Sequence, residues 1–237
     1  GIMVSFGGGD DFESFDGRYN NEGIPLAQTG GVHYDSKWNG DKQSINTNYR
    51  IGRIAVDGLK STISQNNLPS GILNSNSDQN FSNSAFRQKL DVTYEIKLDT
   101  ASTLKVNVDG AVKNSETVSR FTALSLRADE SQINNSSRSL NNDGEQRIFN
   151  AGLLWNKKLK KKGRTLSMNL KQTINENHTD GILQSTNNFF DEQGALTRVQ
   201  EINQRKINRT ETSFFTSNLV YTEPLSKSLS AVINYGI

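Results

Sequence analysis

From Ser84 to Leu98 the chain alternates with a period of two: Phe86, Leu90, Val92, Tyr94, Ile96 and Leu98 share one side, and Arg87, Lys89, Asp91, Glu95 and Lys97 share the other. A helix would scatter these residues around its circumference. A strand separates them completely, because successive side chains point to opposite faces. The pattern repeats from Thr103 to Ser115, where Leu104, Val106, Val108 and Val112 oppose Lys105, Asn107, Asp109 and Lys113. Only Asp99 to Ser102 lies between the two runs, so they are expected to form a tight antiparallel hairpin.

The unit recurs along the chain. Phe149, Ala151, Leu153, Trp155 and Leu159 alternate up to Lys160-Lys161-Lys162-Gly163, and Leu166, Met168, Leu170 and Ile174 alternate beyond it. Earlier, Val32, Tyr34 and Trp38 lead to Asn39-Gly40-Asp41-Lys42, followed by Ile45, Thr47, Tyr49 and Ile51. Later, Phe215, Leu219 and Tyr221 lead to Thr222-Glu223-Pro224-Leu225-Ser226, followed by Leu229, Ala231, Ile233, Tyr235 and Ile237. Eight strands are expected, with a ninth, partial one at Ile2 to Phe6. Short turns near Asn39, Asp99, Lys161 and Glu223 alternate with long polar stretches at Gly7 to Gly30, Asp57 to Asn83, Glu116 to Glu145 and Asn177 to Lys206. These stretches, rich in Asn, Ser, Asp and Gly, read as long loops.

Short turns on one rim, long loops on the other and strands apolar on one face predict an all-β, antiparallel, up-and-down transmembrane β-barrel, with short periplasmic turns and long extracellular loops. At about 3.3 Å per residue and a tilt of about 45°, the stripe from Phe86 to Leu98 spans roughly 28 Å, against an apolar band of about 25 Å. Trp38, Tyr94, Trp155 and Tyr221 lie toward the short-turn ends and Phe86 and Phe149 toward the other, as two interfacial girdles would. A soluble β-sandwich also alternates, but its strands run to about five or six residues. The stripes here are longer, and a closed barrel removes the edges that strands of such length would expose. Leu90, Val92, Tyr94, Ile96, Leu98, Leu104, Val106, Val108, Leu153, Trp155, Leu166, Met168 and Leu170 are therefore expected to face lipid. Arg87, Lys89, Asp91, Glu95, Lys97, Lys105 and Asp109 are expected to line the lumen, their mixed signs suiting salt bridges better than a selectivity ring of one sign.

Composition narrows the class further. The 237 residues include no Cys, which excludes a disulfide scaffold and Cys-ligated metal sites. Lys plus Arg at 27 against Asp plus Glu at 25 gives a net charge of +2, too balanced to suggest a nucleic-acid binder. No run of about eighteen apolar residues exists to span a bilayer as a helix. The first residues lack the basic and apolar regions of a signal peptide, so an export signal is expected outside this chain.

Four pieces carry a resemblance: Trp38-Asn39-Gly40-Asp41-Lys42-Gln43-Ser44, Asn48-Tyr49-Arg50, Lys161-Lys162-Gly163-Arg164-Thr165-Leu166-Ser167, and Tyr221-Thr222-Glu223-Pro224-Leu225-Ser226. In order and spacing they resemble the outer-membrane β-barrel family related to TonB-dependent receptors of Gram-negative bacteria. The resemblance implies a larger parent protein with a signal peptide, a periplasmic domain, a plug inside the barrel and further strands, with residues 1–237 forming an internal part of one barrel domain. It also implies a place in the outer membrane, lipids, a plug and the TonB system as partners, and energy-coupled uptake of a nutrient of unknown identity. A rival expectation is a structural or adhesive barrel that presents Asn/Ser-rich loops and transports nothing.

No catalytic constellation or cofactor motif stands out, and the chain does not read as an enzyme. His33 and His178 are the only histidines and lack the helical spacing of a metal site, so polar strand or loop residues are the expectation. Gly7-Gly8-Gly9-Asp10-Asp11 is followed by neither Lys-Ser/Thr nor a helix, so it is read as a flexible loop and not a phosphate loop. Asp10, Asp11, Glu13 and Asp16 offer hard oxygen ligands for calcium without the spacing of an EF-hand. The basic run Lys157, Lys158, Lys160, Lys161, Lys162 and Arg164 reads as a solvated turn close to anionic head groups.

Overall fold

The computed structural model describes residues 2–5, 22–68, 71–226 and 228–237, with the side chains of 2–5, 68 and 71 not described. They form one antiparallel sheet of nine strands in sequence order, β1 (Ile2–Ser5), β2 (Ile24–Trp38), β3 (Gln43–Leu68), β4 (Gly71–Lys97), β5 (Ser102–Arg127), β6 (Gln132–Lys158), β7 (Thr165–Phe190), β8 (Leu196–Pro224) and β9 (Ser230–Gly236). Every strand pairs only with its neighbours in sequence, and the sheet is open: β1 pairs with β2 and β9 with β8. Among the described residues there is no helix and no second sheet, so the sandwich alternative has nothing to pack against.

All the expected strands form, and the turns Asn39–Lys42, 98–101 and 159–164 fall where the sequence puts them. Asn39, Gly40 and Asp41 all take positive φ, at 55°, 61° and 58°, which Asn, Gly and Asp tolerate far better than branched residues. The fourth turn sits slightly later than expected, because β8 continues through Pro224, after which the Leu225 and Ser226 N–H groups donate to the Leu229 carbonyl. These four turns make one rim, called here the near rim.

The long loops are the main correction. Residues 57–68 and 71–83, 116–127 and 132–145, and 177–190 and 196–206 are not loops but strand. Of the first stretch, 24–30 is strand and 7–21 lies outside the described residues, as does Phe6. At the far rim β5 meets β6 and β7 meets β8 through tight turns: Asp129 accepts the Ser131 N–H at 3.0 Å, and Asp191 Oδ1 accepts the N–H groups of Gln193 and Ala195 at 3.0 and 2.8 Å, with Gly194 at φ 78°. These stretches look like loops because both of their faces are polar, so hydrophobic alternation vanishes while the hydrogen-bonded ladder continues. Strands β3 to β8 are consequently 26 to 29 residues long. At about 3.3 Å per residue that is roughly 86–96 Å, well over twice the length of the apolar stripe.

Candidate functional site

Directly opposed residues in an antiparallel pair share a face, so the register sorts every side chain onto one of two faces. On face A one row reads Trp38, Gln43, Ile96, Leu104, Trp155, Met168, Leu219, Tyr235 from β2 to β9. Parallel rows carry Ile45, Tyr94, Val106, Leu153 and Leu170, then Thr47, Val92, Val108 and Ala151, then Val32, Tyr49, Leu90, Gly110, Phe149 and Ile174. Leu166 lies opposite Tyr221 in the row nearest the near rim. The strand residues of the set expected to face lipid therefore lie on one face. Leu98 lies just past β4 in the turn and is exposed.

Together the rows form a largely apolar belt, interrupted by Ser36, Gln43, Gln172 and Ser217. From Leu90 to Ile96, β4 advances about 20 Å, or about 14 Å in height at a tilt of about 45°. Across the seven strands β2 to β8, spaced about 4.8 Å, the belt covers roughly 700 Å². The largest apolar patch on a soluble monomer is about 300–600 Å². Large side chains in it are uncovered: Val32 is 44% exposed, Leu90 44%, Phe149 43% and Phe215 58%. Aromatics mark both margins. Toward the near rim, Trp38 and Tyr94 have ring centroids 6.2 Å apart, and Trp155 Nε1 donates to Ser102 Oγ at 2.9 Å. Toward the far side stand Tyr49, Phe86 and Phe149. Beyond the row of Tyr49 and Phe149 face A turns ionic, Phe86 being level with Arg53 and Glu145: Arg147 pairs with Glu145 at 2.6 Å and lies 3.9 Å from Glu176, and Asp180 pairs with Arg205.

Face B is polar at the same height. Arg87, Lys89, Asp91, Glu95 and Lys97 on β4 share it with Lys105 and Asp109 on β5, Glu95 being opposite Lys105 and Asp91 opposite Asp109. The opposed carboxylates are relieved locally, since Lys89 Nζ lies 3.3 Å from Asp91 and Asn150 Nδ2 donates to Asp109 at 2.8 Å. Face B also holds the buried side chains Val56, Phe81 and Ala85. The histidines go to different faces. His33 Nδ1 meets Asn48 Oδ1 at 2.6 Å on face B, with Asp35 3.5 Å from Nε2, a carboxylate neighbour the sequence reading did not foresee. His178 is inside β7 on face A, opposite Glu145 and Arg209. The acidic cluster Asp10, Asp11, Glu13 and Asp16 and the glycines before it lie outside the described residues. Among those described, no group of three or more His, Cys, Asp or Glu is placed to hold a metal, and no helix is long and apolar enough to cross a membrane, which does not bear on crossing by strands.

At the near rim the basic run is not merely solvated. Arg164 Nε and Nη2 donate to Glu223 at 2.6 and 2.9 Å, Lys161 Nζ donates to it at 2.6 Å, and so does the Tyr221 hydroxyl at 2.6 Å. Arg164 first, then Lys161 and Tyr221, hold the Glu223 carboxyl well below the usual carboxylate range. A depressed folded-state pKa contributes stability that is complete above the unfolded pKa and is lost as pH falls toward the folded one. The stability difference between wild type and Glu223→Gln is therefore expected to be constant above about pH 5 and to shrink steadily in more acid solution. Denaturation midpoints across pH measure it; a difference that grew on acidification would mean the carboxylate opposes the fold.

No family model matches this chain, and no curated protein matches it.

Proposed function

We propose that the chain is a section of the wall of a TonB-dependent-receptor-like β-barrel in the outer membrane of a Gram-negative bacterium, taking part in energy-coupled uptake of a nutrient. The observation that carries the membrane part is the belt on face A, which runs from β2 to β8 with few polar interruptions and has aromatic residues along both margins. Water is a poor neighbour for a patch of that size, whereas acyl chains are as apolar as the belt itself. In this reading the near rim is periplasmic, the long upper strands rise clear of the bilayer, and face B lines a hydrated lumen. Burial of Val56, Phe81 and Ala85 on face B alongside exposed Leu90 and Phe149 on face A fits a sheet curved with face B inside. Transport, the plug and the TonB system rest on the resemblance of the turn sequences. The adhesive alternative drew on long surface loops, and the described parts of the stretches read that way are strand apart from residues 22–23 and tight turns at 128–131 and 191–195.

Intrinsic fluorescence tests which medium touches face A, because Trp38 and Trp155 are the only tryptophans and lie in one row of the belt. In bilayers of bromine-labelled phospholipid the emission is expected to be blue-shifted and strongly quenched, and iodide in the water to quench little. Quenching by iodide without quenching by brominated chains would retire the membrane reading.

A further inference from the structure

The far half of the sheet sorts its charges by face. Above the row that pairs Arg50 with Lys89, the strand residues of face B include no Asp or Glu at all, while Asp57, Asp78, Glu116, Asp143, Asp180 and Glu201 at the same heights all fall on face A. Face B there carries Arg87 directly opposite Lys113, and higher up Lys60, Arg138, Lys206 and Arg198. Glu22, just before β2, reaches Lys60 at 2.6 Å. No carboxylate among the described residues pairs with Arg138, Arg198 or Lys206. Two of these are instead seated on rings, Arg138 over Phe121 at 5.0 Å and Arg198 over Phe189 at 4.3 Å, which leaves the guanidinium edges able to donate.

A hollow of about 470 Å³ opens on this cationic part of face B, and of these cations Arg138 alone lines it. Arg138 and Glu22 stand on its wall with Phe81, Leu140, Thr117 and Asn83. The Asn83 Oδ1 is buried and has no hydrogen-bond partner among the described residues, so it is an acceptor facing a need for a donor. The surroundings ask for two properties in one ligand: negative charge for the arginines and lysine, and hydroxyl groups for the amide and hydroxyl side chains.

We propose that the far half of face B binds an anionic, hydroxyl-bearing solute, a sugar acid or a sugar phosphate, centred on the hollow between Phe81 and Arg138. This deepens the reading above, on which it rests only for calling the ligand a cargo. A charged surface of one sign inside a low-dielectric wall concentrates counter-ions, and planar guanidinium groups suit carboxylate and phosphate oxygens alike. The mixed signs expected of the polar strand face are found beside the belt and not in the part of face B beyond it.

Equilibrium binding to the detergent-solubilised protein tests it, with gluconate, glucose 6-phosphate and glucose as probes. At least one anion is expected to bind, more weakly as salt is added, with glucose at least tenfold weaker; comparing the two anions tells a carboxylate site from a phosphate site. Arg138→Gln and Lys206→Gln are each expected to weaken anion binding roughly fivefold, and Arg147→Gln, on face A, to leave it unchanged. Arg198→Gln serves as the alternative should either variant fail to fold. Glucose binding as tightly as the anions, indifference to all the face B substitutions, or no binding of either anion would overturn the proposal. Micelles do not ask what face A touches, so loss of anion binding with bromine quenching intact retires the ligand alone, and the reverse retires the membrane alone.

Discussion

Val108→Arg is expected to destabilise the protein in a bilayer by about 2–4 kcal/mol, the cost of a cation near the midplane of a barrel's lipid face. Val108 stands in the middle of the belt, between Val92 and Ala151 on the flanking strands. Two companions give the number its meaning. Asn107→Arg changes the neighbouring residue, which points to the opposite face, and should cost no more than about 0.5 kcal/mol. Val118→Arg keeps face A but moves beyond the belt, to the row of Asp57, Ser82 and Asn141, and should cost about 0–1 kcal/mol. Urea unfolding from phospholipid vesicles measures all three. A cost that depends on both face and height is the signature of a hydrocarbon layer; were face A simply wet, all three substitutions would fall within about 0.5 kcal/mol of zero.

The same dependence on height explains what could be read from the sequence. From Leu90 to Ile96 one face meets an apolar medium and the other does not, so period two is written in hydrophobicity and the strand is plain. From Gly71 to Asn80 the strand is Gly-Ile-Leu-Asn-Ser-Asn-Ser-Asp-Gln-Asn, with both faces polar. Asn, Ser, Asp and Gly are poor strand formers taken alone, and what makes them strand is the pairing of each with β3 and β5, which no local pattern records. Turn chemistry was present but ambiguous: Asp129 with Ser131 and Asp191 with Gly194 make tight reversals, yet in runs so rich in turn residues nothing singles them out. The wall residues on both faces beside the belt were legible. Arg138, Lys206 and Arg198 were not, because residues placed in loops have no face. Only the acids were sorted by parity, since in the run from Ser131 to Asn150 Asp143 and Glu145 both sit at odd positions while Arg138 is even and Arg147 odd.

Phe81→Ala is expected to cost about 3–5 kcal/mol, because Phe81 is 8% exposed and is one of the three buried apolar side chains of face B, with Val56 and Ala85. Its seat exists because Gly58, directly opposite on β3, has no side chain: a Cβ there would stand 2.3 Å from Phe81 Cζ and 2.7 Å from Cε1. Gly58→Ala alone should therefore cost about 1–3 kcal/mol through overpacking. The far end of the ring is what collides, so Phe81→Leu, which removes those atoms, should absorb most of that cost. The double variant is expected to be only slightly less stable than Phe81→Leu by itself, a coupling of about 1–2 kcal/mol in a double-mutant cycle. The Gly23 Cα, 2.9 Å from the same Cβ position, sets a floor under the recovery, since backbone cannot step aside as a ring can. Unfolding midpoints of the four proteins decide it. Strict additivity would mean that Phe81 does not rest on Gly58, and that the buried cluster on face B owes its position to something other than the pairing of β3 with β4.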